Sequence, residues 1–112
     1  MATSYNNIGK VYSEQCNYAQ ALSYYEKSLA IRKEIYGESH PDVATSYDNI
    51  GEVYGNQDEY GKALSYYEKS LAIKKVLYVE SHPAVSLSYL HIGSTYASQV
   101  NYDQALFYYE KS

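Results

Sequence analysis

Tyrosine dominates the side chains able to do chemistry: the 112 residues hold 17 Tyr, one Phe (Phe107) and no Trp. The adjacent pairs Tyr24-Tyr25 and Tyr66-Tyr67 sit in one run, ALSYYEKSLAI, found at Ala21–Ile31 and again at Ala63–Ile73. A shortened copy, ALFYYEKS, occupies Ala105–Ser112. A phenol acting as acid or nucleophile needs a base or a metal at a fixed offset. No such group distinguishes one copy from another, so the pairs read as packing residues, and Glu26-Lys27 with its copies as a solvated or inter-repeat polar face. His40 and His82 lie in related segments, GESHP and VESHP, with only Glu38 and Glu80 nearby and no cysteine. Two imidazoles a repeat apart make a poor metal site; helix entry is the better reading. The single Cys16 aligns with Asp58 and Val100 at a turn, which marks no nucleophile. Phosphate loops, acid–base pairs and Ser-His-Asp arrangements are not visible. The sequence is expected to be non-enzymatic, with no cofactor and no metal.

Composition narrows the class further. Nine Lys and Arg against 13 Asp and Glu argue against nucleic acid, which calls for a basic stripe. No apolar run reaches the roughly 18–20 residues of a membrane span. The first residues, MATSYNNIGK, lack the apolar core of a secretory signal. One cysteine leaves no internal disulfide framework, so a reducing, cytoplasmic setting is expected. A core built on tyrosine suits a thin structure, in which most hydroxyls reach a surface.

The elements that position these residues follow from a repeat of 42. Twenty-eight of the residues 1–42 recur unchanged 42 places later. Tyr5, Tyr47 and Tyr89 fall in register, as do Ile8, Ile50 and Ile92, Gly9, Gly51 and Gly93, and Tyr12, Tyr54 and Tyr96. The expected units are residues 1–42, 43–84 and a truncated 85–112. Each reads as two helices. Val43, Tyr47, Ile50 and Tyr54 form one face of a helix over 43–57, and Tyr60, Leu64, Tyr67 and Leu71 a stripe over 60–78. Pro41 and Pro83 suit a first helical position, and each forces the histidine before it out of helical geometry. Tyr25 is expected on its own helix's apolar stripe, and Tyr24, with Ile31 and Ile35, against the adjacent repeat.

The spacing Tyr5-x2-Ile8-Gly9-x2-Tyr12, followed by Ala21-x3-Tyr25, resembles the tetratricopeptide repeat (TPR) pattern W-x2-L-G-x2-Y…A-x3-F. It recurs at Tyr47, Ile50, Gly51, Tyr54, Ala63 and Tyr67, and at Tyr89, Ile92, Gly93, Tyr96, Ala105 and Tyr109. The period is 42 rather than 34, and Lys33 and Lys75 stand where a proline is usual. The eight extra residues read as about two turns of second helix plus the SHP loop. The longer repeat is similar to the kinesin light chain type. The resemblance implies an all-α fold: a right-handed solenoid of about 2.7 repeats and six helices. It also implies a non-enzymatic adaptor that binds a peptide segment of a partner protein.

In TPR arrays the first helices line a concave groove. That resemblance assigns Asn6, Asn7, Lys10, Thr45, Asp48, Asn49, Glu52, Leu87, Leu90 and His91 to a peptide-binding groove. Asn7 and Asn49 are in register, similar to an asparagine ladder that grips a peptide main chain; merely solvated amides are the alternative, and His91 interrupts the series. The groove lacks a cluster of Lys and Arg, which argues against a strongly acidic peptide. In the third unit Thr45, Asp48, Asp58 and Ser65 give way to Leu87, Leu90, Val100 and Phe107. Those changes suggest an apolar contact, either a peptide pocket or a subunit interface. Exposed repeat ends would support homo-oligomers. The alternative function is therefore a structural or self-associating segment of a longer array, with no ligand of its own.

Overall fold

Short local signals set the helix starts. Pro41 and Pro83 open their helices where a missing N–H costs nothing. The preceding histidines cap them: His40 Nδ1 accepts from the N–H of Asp42 (3.1 Å), and His82 Nδ1 from that of Ala84 (3.0 Å). Their rings also stack on Tyr36 and Tyr78, with centroids 4.0 and 4.1 Å apart. Both imidazoles are thus committed to helix entry.

The computed structural model describes residues 1–79 and 81–112. Glu80, a candidate neighbour of a metal-binding histidine, lies outside the described residues. The described residues form α1 (Ala2–Glu14), α2 (Tyr18–Tyr36), α3 (Pro41–Asn56), α4 (Tyr60–Leu77), α5 (Pro83–Ser98) and α6 (Tyr102–Lys111), with no strand among them. Consecutive helices pack as three hairpins, α1–α2, α3–α4 and α5–α6, and each second helix also packs on the next first helix. Inside each hairpin the chain turns through a residue with positive φ, 62° at Cys16, Asp58 and Val100 alike. Asp accepts that left-handed conformation far more readily than a β-branched Val. The shared φ explains why three unlike residues align there.

The repeated pattern fixes how the helices meet. A Cβ on Gly51 would lie 2.9 Å from Tyr67 Cε1 and 3.3 Å from the Ala63 carbonyl oxygen, so only glycine lets α3 lie this close to α4. Tyr25 fills the same role over Gly9, and also joins Ala21, Ile50 and Val53 in a buried cluster between the first two hairpins. Tyr25 thus lies on the expected stripe with Leu22 and Leu29 and is also the ring that reaches the neighbouring repeat, the role expected of Tyr24. Tyr24 stacks on Tyr12 of its own hairpin, at 5.6 Å between centroids, as Tyr66 does on Tyr54 at 5.7 Å. Lys27 and Lys69 cover those outer rings at 4.9 and 4.8 Å, which gives the repeated lysine a packing role rather than a purely solvated one. The molecule is thin, 39 × 31 × 17 Å, which suits a tyrosine-built core.

Candidate peptide groove

The first helices α1, α3 and α5 present their remaining faces along one side. Asn6, Asn7, Lys10, Glu14, Thr45, Asn49 and Glu52 border a depression of about 350 Å³, with the Tyr25 ring also on its wall. Thr45, Asp48, Asn49 and Glu52 continue into a second, about 320 Å³, closed by Lys74, Tyr78, Leu87 and His91. Glu52 and His91 lead on to a third, with Tyr67, Ser94 and Ser98. Shared walls make the three one trough across the three hairpins. Leu90 is not among its walls. It borders a separate apolar hollow with Pro83, Ser86 and Leu87 beside the last helix. At α5 the leucines therefore divide: Leu87 touches both hollows, whereas Leu90 faces away from the trough.

The register of the asparagines is correct, but their bonding differs from a simple ladder. Asn49 Nδ2 donates to Asn6 Oδ1 at 2.8 Å, across the boundary between hairpins. Asn7 makes no hydrogen bond to any described residue and is exposed. Asn7 offers its whole amide to a ligand, whereas Asn49 has committed one of its two N–H donors to Asn6.

One repeat later the same pair of positions is Asp48 and His91. Asp48 Oδ1 and His91 Nδ1 are 4.0 Å apart, and both atoms are buried without a hydrogen bond. The other oxygen, Oδ2, accepts from Lys74 Nζ at 2.8 Å, and Lys74 also donates to Ser88 Oγ at 2.9 Å. Burial of the His91 ring pushes its pKa below the usual histidine range; Lys74 adds to the shift, and the carboxylates of Asp48 and Glu52 oppose it. The ring also lies against Tyr67, at 5.0 Å between centroids. Burial also pushes the Tyr25 hydroxyl up to about 12, with the Glu52 and Glu14 carboxylates acting in the same direction, and moves Tyr67 the same way. Both phenols therefore keep their protons at neutral pH and present a hydroxyl rather than a phenolate.

Arg32 and Lys74, equivalent positions on α2 and α4, were not singled out in the sequence. Both are buried. Arg32 Nη1 donates to Ser46 Oγ (2.9 Å) and to the Asp42 carbonyl (3.1 Å), reaching from one hairpin into the next as Lys74 does. The signal was present: a cation and a serine 14 residues apart, repeated in the next unit as Lys74 and Ser88. Among the described residues no group of three or more His, Cys, Asp or Glu could hold a metal ion. No described helix is long and apolar enough to cross a membrane.

A family profile for the tetratricopeptide repeat matches residues 1–75 and again 49–112. The chain is a tetratricopeptide repeat protein. Its fold is similar to that of BtubC (BKLC) from P. vanneervenii, at TM-score 0.90 and 23% identity over 98% of this chain and 44% of that one. It is also similar to the nearly identical TPR-like repeats of a protein from Podosopora anserina described as kinesin light chain, at TM-score 0.84 and 18% identity over 97% of this chain and 52% of that one. The apo form of RapI aligns at TM-score 0.79 and 30% identity over 93% of this chain and 36% of that one. No curated protein matches in sequence. This TPR array thus spans about half, or less, of each of these chains, and its repeats are of the kinesin light chain-like type. TPR folds are typically used for protein–protein interaction and are generally non-enzymatic scaffolds.

Proposed function

We propose that this TPR array binds an extended peptide segment of a partner protein along the trough of α1, α3 and α5. The carrying observation is a continuous surface on which four polar side chains have no partner of their own. Asn7, Lys10, Glu14 and Glu52 form no hydrogen bond or ion pair with any described residue, yet all border one trough. An amide with free donor and acceptor can hold a peptide main chain without reading its side chains. The charges then set preference. Lys74 is neutralised by Asp48, which leaves Lys10 against Glu14 and Glu52. A neutral or basic segment fits this balance, and a strongly acidic one does not. The apolar wall made by Leu87 and Tyr78 accommodates one apolar side chain at the α5 end.

Selection from a random peptide library on the immobilised protein, followed by NMR mapping of a selected peptide, tests this reading. Amide shifts are expected along α1, α3 and α5. The pair Asn7→Ala with Glu52→Ala should weaken binding at least tenfold while the circular dichroism spectrum is kept. Shifts confined to the opposite faces of α2 and α4, or undiminished binding by the double variant, would overturn it.

A further inference from the structure

The hollow between α1 and α3 holds more negative charge than its own residues balance. Glu14 on α1 and Glu52 on α3 both border it, and neither forms an ion pair with any described residue. Lys10 stands on the same wall, also unpaired. It precedes Glu14 by four residues, the less favourable order for a helical ion pair. Two carboxylates against one ammonium leave a single negative charge uncompensated. At the next boundary the places of Glu14 and Glu52 are taken by Asn56 and Ser94, so the two carboxylates together are particular to this hollow. Glu52 belongs to the middle hairpin, which has a neighbour on either side, and it is exposed there. So is Asn56, the residue at Glu14's place in that hairpin. Both positions therefore stay open to a ligand inside a stack of hairpins.

A third group is aimed into the same space. Tyr25 lines the hollow yet is only 4% exposed, its ring held over Gly9 where α1 and α2 approach closely. Its hydroxyl has no hydrogen-bond partner among the described residues. Glu52 and Glu14 both raise the pKa of this phenol, so the two carboxylates act on one hydroxyl, which keeps its proton at neutral pH. A polar group so nearly buried is costly without a partner, and here the partner must come from whatever fills the hollow.

We propose that this hollow is the subsite for one arginine of the bound segment, whose guanidinium sits between Glu14 and Glu52 and donates to the Tyr25 hydroxyl. The inference rests on the peptide-binding reading and adds a position to it: one cationic side chain over the α1–α3 boundary. Charge selects a cation, because a single positive group cancels the surplus left by Lys10. Geometry selects arginine. The acceptors arrive from three helices, and a planar guanidinium spreads its N–H donors along several directions, whereas an ammonium gathers its donors at one point. Guanidinium is also the more weakly hydrated cation, so it gives up less on entering a hollow walled by a buried ring. An acidic side chain at this place would meet both carboxylates and be rejected.

Peptides selected from a random library on the immobilised protein supply the test, with affinities read by calorimetry. They are expected to share one arginine at a fixed position. Its replacement by citrulline, which keeps the shape and removes the charge, should weaken binding about tenfold. Glu14→Gln combined with Glu52→Gln should cost a similar factor and erase the difference between arginine and citrulline. Both side chains are exposed, so the circular dichroism spectrum should hold. Tyr25→Phe keeps the ring over Gly9 and should weaken the arginine peptide about threefold. Lys10→Gln removes the opposing cation and should tighten binding about threefold, a gain that misfolding does not produce. Four results overturn the arginine subsite and leave the peptide-binding reading standing: trough-binding peptides with no shared arginine, equal affinity for arginine and citrulline, undiminished binding by the double Gln or the Phe variant, or weaker binding by Lys10→Gln. A library that yields no peptide bound along the trough overturns both.

Discussion

The two boundaries between hairpins share most of their apolar residues, with Thr95 in the place of Val53, and differ chiefly in their polar ones. At the first, Arg32 is held by a hydroxyl and a carbonyl, and two neutral amides, Asn6 and Asn49, bond to each other. At the second, Lys74 is held by Ser88 and the Asp48 carboxylate, and the amide pair becomes Asp48 and His91. The substitutions are linked by physics. A guanidinium is weakly hydrated and spreads its charge, so neutral acceptors satisfy it in a buried site; an ammonium is compact and strongly hydrated, and needs a carboxylate there. Once Asp48 is present, its second oxygen faces position 91, where an imidazole can respond to charge and an amide cannot. Apolar packing can be copied almost unchanged from repeat to repeat because every repeat meets the same neighbour. The polar joint is where one repeat becomes different from the next.

Removing the cations separates the two designs most sharply. Lys74→Met strands the largely buried Asp48 carboxylate without its ion pair, and the expected loss is about 3 kcal/mol. Arg32→Met leaves only Ser46 and a carbonyl without a donor, for an expected loss of about 1–2 kcal/mol. Urea denaturation of the two variants decides it. Equal losses would mean that Asp48 contributes nothing specific at the second boundary.

Asp48→Asn gives a smaller effect from the other side of the pair. It restores the amide of the first boundary but leaves a buried lysine with neutral acceptors in place of a carboxylate, Ser88 and the new amide oxygen. A loss of about 1–2 kcal/mol is expected, and adding Lys74→Arg, which copies the cation of the first boundary as well, should recover most of it. Failure of that rescue would show that backbone placement, rather than side-chain chemistry, distinguishes the boundaries.

Much of this fold is legible in the sequence because helix packing repeats at a constant offset. Tyr, Ile, Gly and Ala at fixed spacing predict six helices in three hairpins, and the structure shows them. The prolines mark the starts of α3 and α5, and the alignment of Cys16, Asp58 and Val100 marks a turn whose φ of 62° the residue types alone do not announce. The polar joints are less legible, for a geometric reason. Aligning copies pairs Asn7 with Asn49, positions that never touch, whereas the residues in contact are Asn6 and Asn49, which belong to different columns of the repeat. Arg32 and Lys74 are buried only because the neighbouring hairpin covers them, which a single repeat does not announce. Leu90 shows the same limit. Its place beside Leu87 on α5 suggests that both line the groove; the two share the hollow beside the last helix, but only Leu87 also reaches the trough.

Acid should weaken the second boundary through His91. His91 has its pKa lowered by burial, so below the unfolded value of about 6.5 the unfolded chain takes up the proton first. Stability then falls as pH drops through that window and levels off below the folded pKa, the sign required when the unfolded state binds more protons. His91→Asn, which copies Asn49, should remove this component. The check is the stability difference between wild type and His91→Asn, measured by urea denaturation at intervals from neutral pH downward. It is expected to be constant above about pH 7.5 and to shift against the wild type on acidification. A difference that stays flat, or moves in favour of the wild type, would mean that Asp48 outweighs burial at this ring.

The smallest effect is the most discriminating. Asn6→Asp places at the first boundary the carboxylate that Lys74 has at the second, and the new side chain can still accept from Asn49 Nδ2. A gain of about 0.5–1 kcal/mol is expected, modest because Asn6 lies at the half-buried edge of the trough, where water screens the new charge. The sharper reading is the coupling with Arg32, obtained by combining Asn6→Asp with Arg32→Met in a double-mutant cycle. If the first boundary accepts the second's chemistry, Arg32→Met becomes as costly in the Asn6→Asp background as Lys74→Met is in the wild type. If its cost is unchanged, the guanidinium does not reach position 6, and its hydroxyl and carbonyl partners are the whole of its role.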